Sequence, residues 1–298
     1  MTDINEKLRG IYCAMVTPND GEDHVDEASL RKILRYLLSS GIHGLVVLGS
    51  AGELPAISED ERKRAIEIAV DEVRGKVPVI AGAGNPDIRR AIQDVKTAKE
   101  LGADAVLVVP PYYYNLSQQG LIYYFKEVAQ MGIPIMLYNI PNFTKVRIEP
   151  STVKILSQVE GIIGIKDSSR DFEYLTKLIF MCKETPNFRI FLGTDALLLA
   201  GLTLGVDGVI SITPQVMPSW DLELLNCFQA GDLPLARKTQ GMIVKLLEVL
   251  RIGNFPVGLK ATVALLGLCS PNMWKPAMEL TVKETEEIEG RLTELGIL

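Results

Sequence analysis

Gly161-Ile162-Ile163-Gly164-Ile165-Lys166-Asp167-Ser168-Ser169 is an apolar run, punctuated by glycines, that ends on a lysine and small polar residues. It is too short for a helix and is bounded by turn formers, which predicts a buried strand with Lys166 at its C-terminal rim. An amine carried to the rim of a core on a rigid element loses hydration, and that disfavours its charged form. A neutral lysine amine attacks carbonyl carbon and makes a Schiff base. The competing reading is a strand-end lysine that snorkels to water or pairs with Asp167. These residues alone leave both readings open.

The same kind of run recurs on either side, each followed by a helical pattern. Gly10 to Val16 is the first strand; Asp26 then caps a helix through Ser39 with Leu30, Ile33, Leu34, Leu37 and Leu38 on one face. Gly44 to Leu48 is the second strand, and Ser58-Glu59-Asp60-Glu61 is a capping box opening a helix to about Val73. Val77 to Ala81, Ala105 to Val109 and Pro134 to Tyr138 follow as strands, with helices over Pro86 to Leu101, from near Ser117, and over Pro150 to Gln158. Ile162 to Lys166, Arg189 to Leu192 and Gly208 to Ser211 complete the series, with helices over Asp171 to Cys182 and Asp195 to Leu204. Four helical segments close the chain: Ser219 to Gln229, Leu233 to Arg251, Pro256 to Gly267 and Val282 to Leu295. Eight short strands alternating with helices, none strictly alternating in polarity, predict an α/β fold of the (β/α)8 TIM-barrel type with a C-terminal helical extension. The expected organisation is one domain over 1–298, with the barrel about 8–215 and the C-terminal helices about 216–298. A doubly wound sheet is the alternative. It favours a glycine-rich first turn, and here that turn is Thr17-Pro18-Asn19, while Gly82-Ala83-Gly84-Asn85-Pro86 lacks the third glycine of a dinucleotide fingerprint.

With 298 residues, 47% of them hydrophobic and 23% charged, the chain can bury a large core. A net charge of −6 without a basic cluster argues against nucleic-acid or anionic-membrane partners. No apolar run has the length of a membrane span, and the polar N-terminal residues contain no signal core, so the expected location is cytoplasmic. Cys13, Cys182, Cys227 and Cys269 are scattered among apolar neighbours, and His24 and His43 are the only histidines. Neither pattern suits a disulfide framework or a metal site, so no metal is expected.

In a barrel, functional residues sit at the C-terminal ends of the strands. Those ends carry Thr17, Gly49-Ser50-Ala51-Gly52-Glu53, Tyr112-Tyr113-Tyr114, Tyr138-Asn139, Lys166, Gly193-Thr194-Asp195 and Ser211. This is a hydroxyl-rich ring around one lysine, suited to carbonyl activation by an amine with phenols moving protons. Tyr138 reads equally as a general acid/base or as a core tyrosine bonded to backbone. The Gly49–Glu53 turn reads as a carboxylate or phosphate cradle or as an ordinary tight turn. The tyrosine triplet reads as an aromatic interface patch or as a catalytic group.

Six stretches in order carry a resemblance: Ala14-Met15-Val16-Thr17-Pro18, Gly49-Ser50-Ala51-Gly52-Glu53, Pro111-Tyr112-Tyr113, Tyr138-Asn139-Ile140-Pro141, Gly164-Ile165-Lys166 and Gly208-Val209-Ile210-Ser211. Over nearly its whole length the chain resembles the dihydrodipicolinate synthase/N-acetylneuraminate lyase family of pyruvate-dependent class I aldolases. The resemblance implies a (β/α)8 barrel with C-terminal helices, usually a homotetramer, working without cofactor or metal on pyruvate and an aldehyde or a keto-deoxy acid. It implies Lys166 as the Schiff-base lysine and Tyr138 as the proton-transfer phenol. Ser50 and the backbone around Ala51 match the keto-acid carboxylate site. Tyr113 matches the tyrosine lent across a subunit interface to a relay with Ser50 and Tyr138, and Gly193 and Ile210 match residues lining the keto-acid pocket.

Two departures bear on the substrate. Ala51 stands where the family usually has a second hydroxyl, and the loss of that bond to a carboxylate is worth about 1.5–3 kcal/mol. Phe143 stands where lysine-pathway synthases carry the arginine that holds aspartate semialdehyde. Together with Lys166-Asp167-Ser168-Ser169 and Tyr114, this favours reversible cleavage of a 2-keto-3-deoxy sugar acid or similar 4-hydroxy-2-oxo acid. The alternative is 4-hydroxy-tetrahydrodipicolinate synthase. An alternative of another class is a keto-acid-binding barrel that regulates without catalysis. A phosphate-binding barrel enzyme ranks last, because Thr213-Pro214-Gln215 offers no glycine-rich loop after the eighth strand.

Overall fold

The computed structural model describes residues 4–182 and 184–298. Its strands are β1 (Gly10–Ala14), β2 (Gly44–Val47), β3 (Val79–Ala83), β4 (Ala105–Val108), β5 (Ile135–Asn139), β6 (Ile162–Asp167), β7 (Arg189–Leu192) and β8 (Gly208–Ser211). They pair in parallel in chain order, and β1 pairs with β8 to close the barrel. A short α1 (Ile4–Lys7) precedes the barrel. The helices α2 (Glu27–Ser40), α3 (Glu59–Val73), α4 (Ile88–Glu100), α5 (Gln118–Ala129), α6 (Pro141–Thr144), α7 (Pro150–Leu156), α8 (Phe172–Cys182) and α9 (Leu198–Leu204) lie between strands. After β8 come α10 (Pro218–Ala230), α11 (Leu233–Val249), α12 (Val257–Leu265) and α13 (Val282–Glu294). No helix among the described residues is long and apolar enough to cross a membrane.

The strands are buried on both faces, which is why they lack polar alternation. Asp26 caps α2 by accepting from the Ser29 amide, and Leu30, Ile33, Leu34 and Leu37 pack inward from that helix. Ser58 likewise caps α3, but the expected capping box is incomplete. The Glu61 carboxylate is drawn away to the Val25 amide, 2.6 Å distant, and thereby ties α3 to the loop before α2. The complete box is Thr281–Glu284, at the start of α13.

β3 begins two residues later than expected. Pro78 has no N–H for the ladder, and the Val79 amide donates instead to the Asp104 carboxylate at 2.8 Å. The strand runs on through Gly82, where a side chain would collide with the Leu48 carbonyl. Leu48, at the end of β2, and Glu53 both stand in the left-handed region, each with φ 57°. An L-residue kept there is strained, and surrounding packing must over-determine it.

β5 and β6 pair irregularly. Ile135 faces Ile162, but Met136 faces Gly164, so Ile163 is an extra residue on β6. Beyond this bulge Tyr138 faces Lys166 and Asn139 faces Asp167. Without it Tyr138 would face Ile165, because a one-residue slip exchanges the two faces of a strand.

Candidate active site

β6 delivers Lys166 into a cavity of about 310 Å3 at the C-terminal end of the barrel, lined by Ser50, Ala51, Tyr138, Phe143, Gly193 and Ile210 among others. The Lys166 side chain is 4% exposed, and its Nζ lies 4.5 Å from the centroid of the Tyr138 ring. It has no ion-pair partner among the described residues. Asp167, next along the strand, faces the other way. Its carboxylate accepts from Asn139 Nδ2 at 2.7 Å and from the Ser169 amide and hydroxyl. Burial pushes the Asp167 carboxyl up, against those hydrogen bonds. The pairing of Lys166 with Asp167 that a strand-end lysine allowed is therefore absent.

Tyr138 is buried, and its hydroxyl lies 3.4 Å from Ser50 Oγ. Ser50 and Ala51 sit in the turn between the strained Leu48 and Glu53. That turn is held from behind on two sides. Thr17 Oγ1 donates to the Gly52 carbonyl at 2.9 Å. The Glu53 carboxylate meets Lys260 Nζ at 2.5 Å and accepts from the Trp274 amide at 3.1 Å. Gly193 leaves room on the opposite wall: a Cβ there would strike Ser168 and come within 2.9 Å of Lys166 Cε.

The structure thus brings together Lys166, Tyr138, Ser50, Ala51, Gly193, Ile210 and Phe143. Thr17 stands behind the turn and does not line the cavity, because its hydroxyl is spent on the Gly52 carbonyl. Tyr113 is 82% exposed with φ 83°, lies outside the cavity, and meets Tyr114 edge to face at 4.9 Å. Phe143 is half exposed and stacks on Phe255 at 6.0 Å. The two rings stand between this cavity and a neighbouring one of about 250 Å3 that Tyr112 helps line. Sequence reasoning missed Ser168, Arg170, Arg251, Asn254 and Phe255, which also line the lysine cavity. Among the described residues no group of three or more His, Cys, Asp or Glu is placed to hold a metal ion.

The profile of the Dihydrodipicolinate synthetase family matches residues 7–295. The chain belongs to that family. It is accordingly an enzyme, a carbon–carbon lyase of the class I aldolase kind. The 4-hydroxy-tetrahydrodipicolinate synthase of Methanopyrus kandleri is 37% identical over 296 residues, covering 98% of each chain. The crystal structure of dihydrodipicolinate synthase from Thermotoga maritima superposes with a TM-score of 0.93 at 33% identity, covering 97% of this chain and 99% of that one. YagE, a prophage protein of the dihydrodipicolinic acid synthase family from E. coli K12, solved in complex with pyruvate, gives 0.93 at 30% identity, with the same coverage. Membership sets aside the regulatory barrel. The synthase names favour the second of the two reactions weighed from the sequence over sugar-acid cleavage.

Proposed function

We propose that this family member condenses pyruvate with an aldehyde through an imine on Lys166, and that its reaction is that of a 4-hydroxy-tetrahydrodipicolinate synthase, with aspartate semialdehyde as the aldehyde. The observation that carries the reading is the buried, unpaired Lys166 amine held against Tyr138 in a cavity. Lys166 Nζ adds to C2 of pyruvate, and the carbinolamine expels water as a protonated imine. Loss of a C3 proton gives an enamine whose C3 attacks the aldehyde carbon. The new alkoxide takes a proton, and Tyr138, in contact with Ser50, is the group placed to relay it. The amine of the bound aspartate semialdehyde unit then attacks the imine carbon and displaces the Lys166 amine, closing the six-membered ring. The water released when the lysine imine formed is the net water of the condensation. The turn around Ser50 and Ala51 is the assigned seat of the keto-acid carboxylate.

Tyr113 is assigned to the site of a neighbouring copy, which suits its exposure. A homotetramer is the assembly expected with it.

Phe143 supports a second reading, cleavage of a 2-keto-3-deoxy sugar acid, because an aromatic ring gives no ion pair to a substrate carboxylate. Steady-state assays separate the two. Pyruvate consumption with aspartate semialdehyde at a kcat/KM at least tenfold above that for cleavage of 2-keto-3-deoxygluconate is expected. The reverse ranking would overturn the synthase reading and leave the imine chemistry standing.

A further inference from the structure

We propose that Arg170 and Arg251 form an anion clamp at the mouth of the Lys166 cavity, selecting an aldehyde that carries its own carboxylate or phosphate. This rests on the imine reading of the cavity and adds to it the class of the second substrate. Arg170 follows β6 by three residues, at a left-handed turn before α8, and Arg251 lies just beyond the end of α11. The two come from unrelated parts of the chain, and both line the cavity that holds Lys166.

Neither guanidinium has a side-chain or carbonyl partner among the described residues. Among the described residues no carboxylate forms an ion pair with either arginine, although the Asp195 and Glu248 charges act on Arg251 at longer range. Glu248 pairs with Arg291 at 3.2 Å, and Asp171 pairs with Arg147 at 3.0 Å. Asp167 is held by Asn139. Asp195, the one acid lining the cavity, lies 2.5 Å from the Thr213 hydroxyl and also accepts from the Thr213 amide. Burial and the neighbouring Arg170 charge push the Arg251 guanidinium down from its ordinary value, which places the two cations within each other's field.

Asp195 and Glu248 attract Arg251 without pairing with it, and burial together with the Arg170 charge outweighs them. A bound anion relieves the repulsion that is left. A guanidinium presents paired donors that fit the oxygens of a carboxylate or phosphate. The keto-acid carboxylate is already assigned to the Ser50–Ala51 turn, so the clamp is free for the partner. It also supplies the cation that Phe143 cannot, from a different wall.

The test compares three aldehydes with pyruvate: neutral glyceraldehyde, aspartate semialdehyde and glyceraldehyde 3-phosphate. The expected result is a kcat/KM for one or both anionic aldehydes at least tenfold above that for glyceraldehyde, and the two anions tell carboxylate from phosphate. In Arg170→Gln and Arg251→Gln that preference falls ~10–100-fold, the range for losing a charged hydrogen bond. Arg170→Lys and Arg251→Lys retain part of it. A preference below tenfold, or one unchanged in both glutamine variants, overturns the clamp.

Calorimetry gives a readout without turnover: 2-oxoglutarate should bind more tightly than the uncharged-tail analogue 2-oxopentanoate, and lose that advantage in the double glutamine variant. Equal affinities for the two probes would also overturn it. Borohydride trapping of pyruvate on Lys166 reports separately on the imine reading. An adduct without anion preference removes the clamp alone.

Discussion

Lys166 and Tyr138 share a cavity because neighbouring strands end level there, and their roles can be separated by substitution. Replacing Tyr138 with Phe keeps the ring against the amine and removes the proton relay. We expect kcat to fall ~10^2–10^4-fold, the usual worth of a positioned acid/base, with a much smaller change in the KM for pyruvate. Steady-state kinetics will show it. A kcat within threefold of the parent would remove Tyr138 from proton transfer.

Most of these side chains were legible because strand ends at a barrel mouth carry function. Thr17 was misplaced by the same rule: it lies near the ring, but its hydroxyl is aimed at the Gly52 carbonyl. Arg170 and Arg251 gave no signal, since nothing in the local pattern of α11 says that its end will fall over the cavity.

At the scale of elements, the turn after β2 is fixed by α12. Burial pushes the Lys260 amine down and the Glu53 carboxyl up, each opposed by the attraction of the other. Breaking such a pair from one side leaves a buried charge and costs ~3–5 kcal/mol. Lys260→Met should therefore lose stability on that scale in urea unfolding and raise the KM for pyruvate, because Glu53 closes the turn bearing Ser50. The double variant Lys260→Met/Glu53→Gln should regain part of the stability. If the double variant is less stable than the single, the ion pair is not the linkage.

The order of strands and helices could be read from hydrophobic periodicity, and the four last helices lie close to where that periodicity puts them. The bulge at Ile163 could not. An apolar run buried on both faces has no polar alternation to register an extra residue, yet that residue sets Tyr138 opposite Lys166.

For the whole molecule, pH dependence should reflect a buried acid beneath the site. Thr213 Oγ1 lies 2.5 Å from Asp195 and 2.8 Å from Asp221, and its single proton can serve one of them. Burial, reinforced by the Asp195 charge, pushes the Asp221 carboxyl well above its ordinary 3.8. The native state therefore keeps a proton that the unfolded chain releases near that value, and stability falls as pH rises above it. Asp221→Asn imitates the protonated acid. Its melting temperature should gain on the parent progressively between pH 5 and pH 8. A constant difference would contradict the assignment.

At this scale the barrel was legible because parallel strands need crossovers, and the chain supplies a helix after each strand. The choice of aldehyde was not, because it depends on groups from distant segments meeting over one cavity. The central claim is that the Lys166 amine joins covalently to a ketone. Incubation with pyruvate and borohydride, followed by peptide mass spectrometry, tests it most directly. We predict a reduced pyruvyl adduct on the peptide containing Lys166, absent from a folded Lys166→Arg variant. An unmodified parent protein, or an adduct that persists in that variant, would contradict the account.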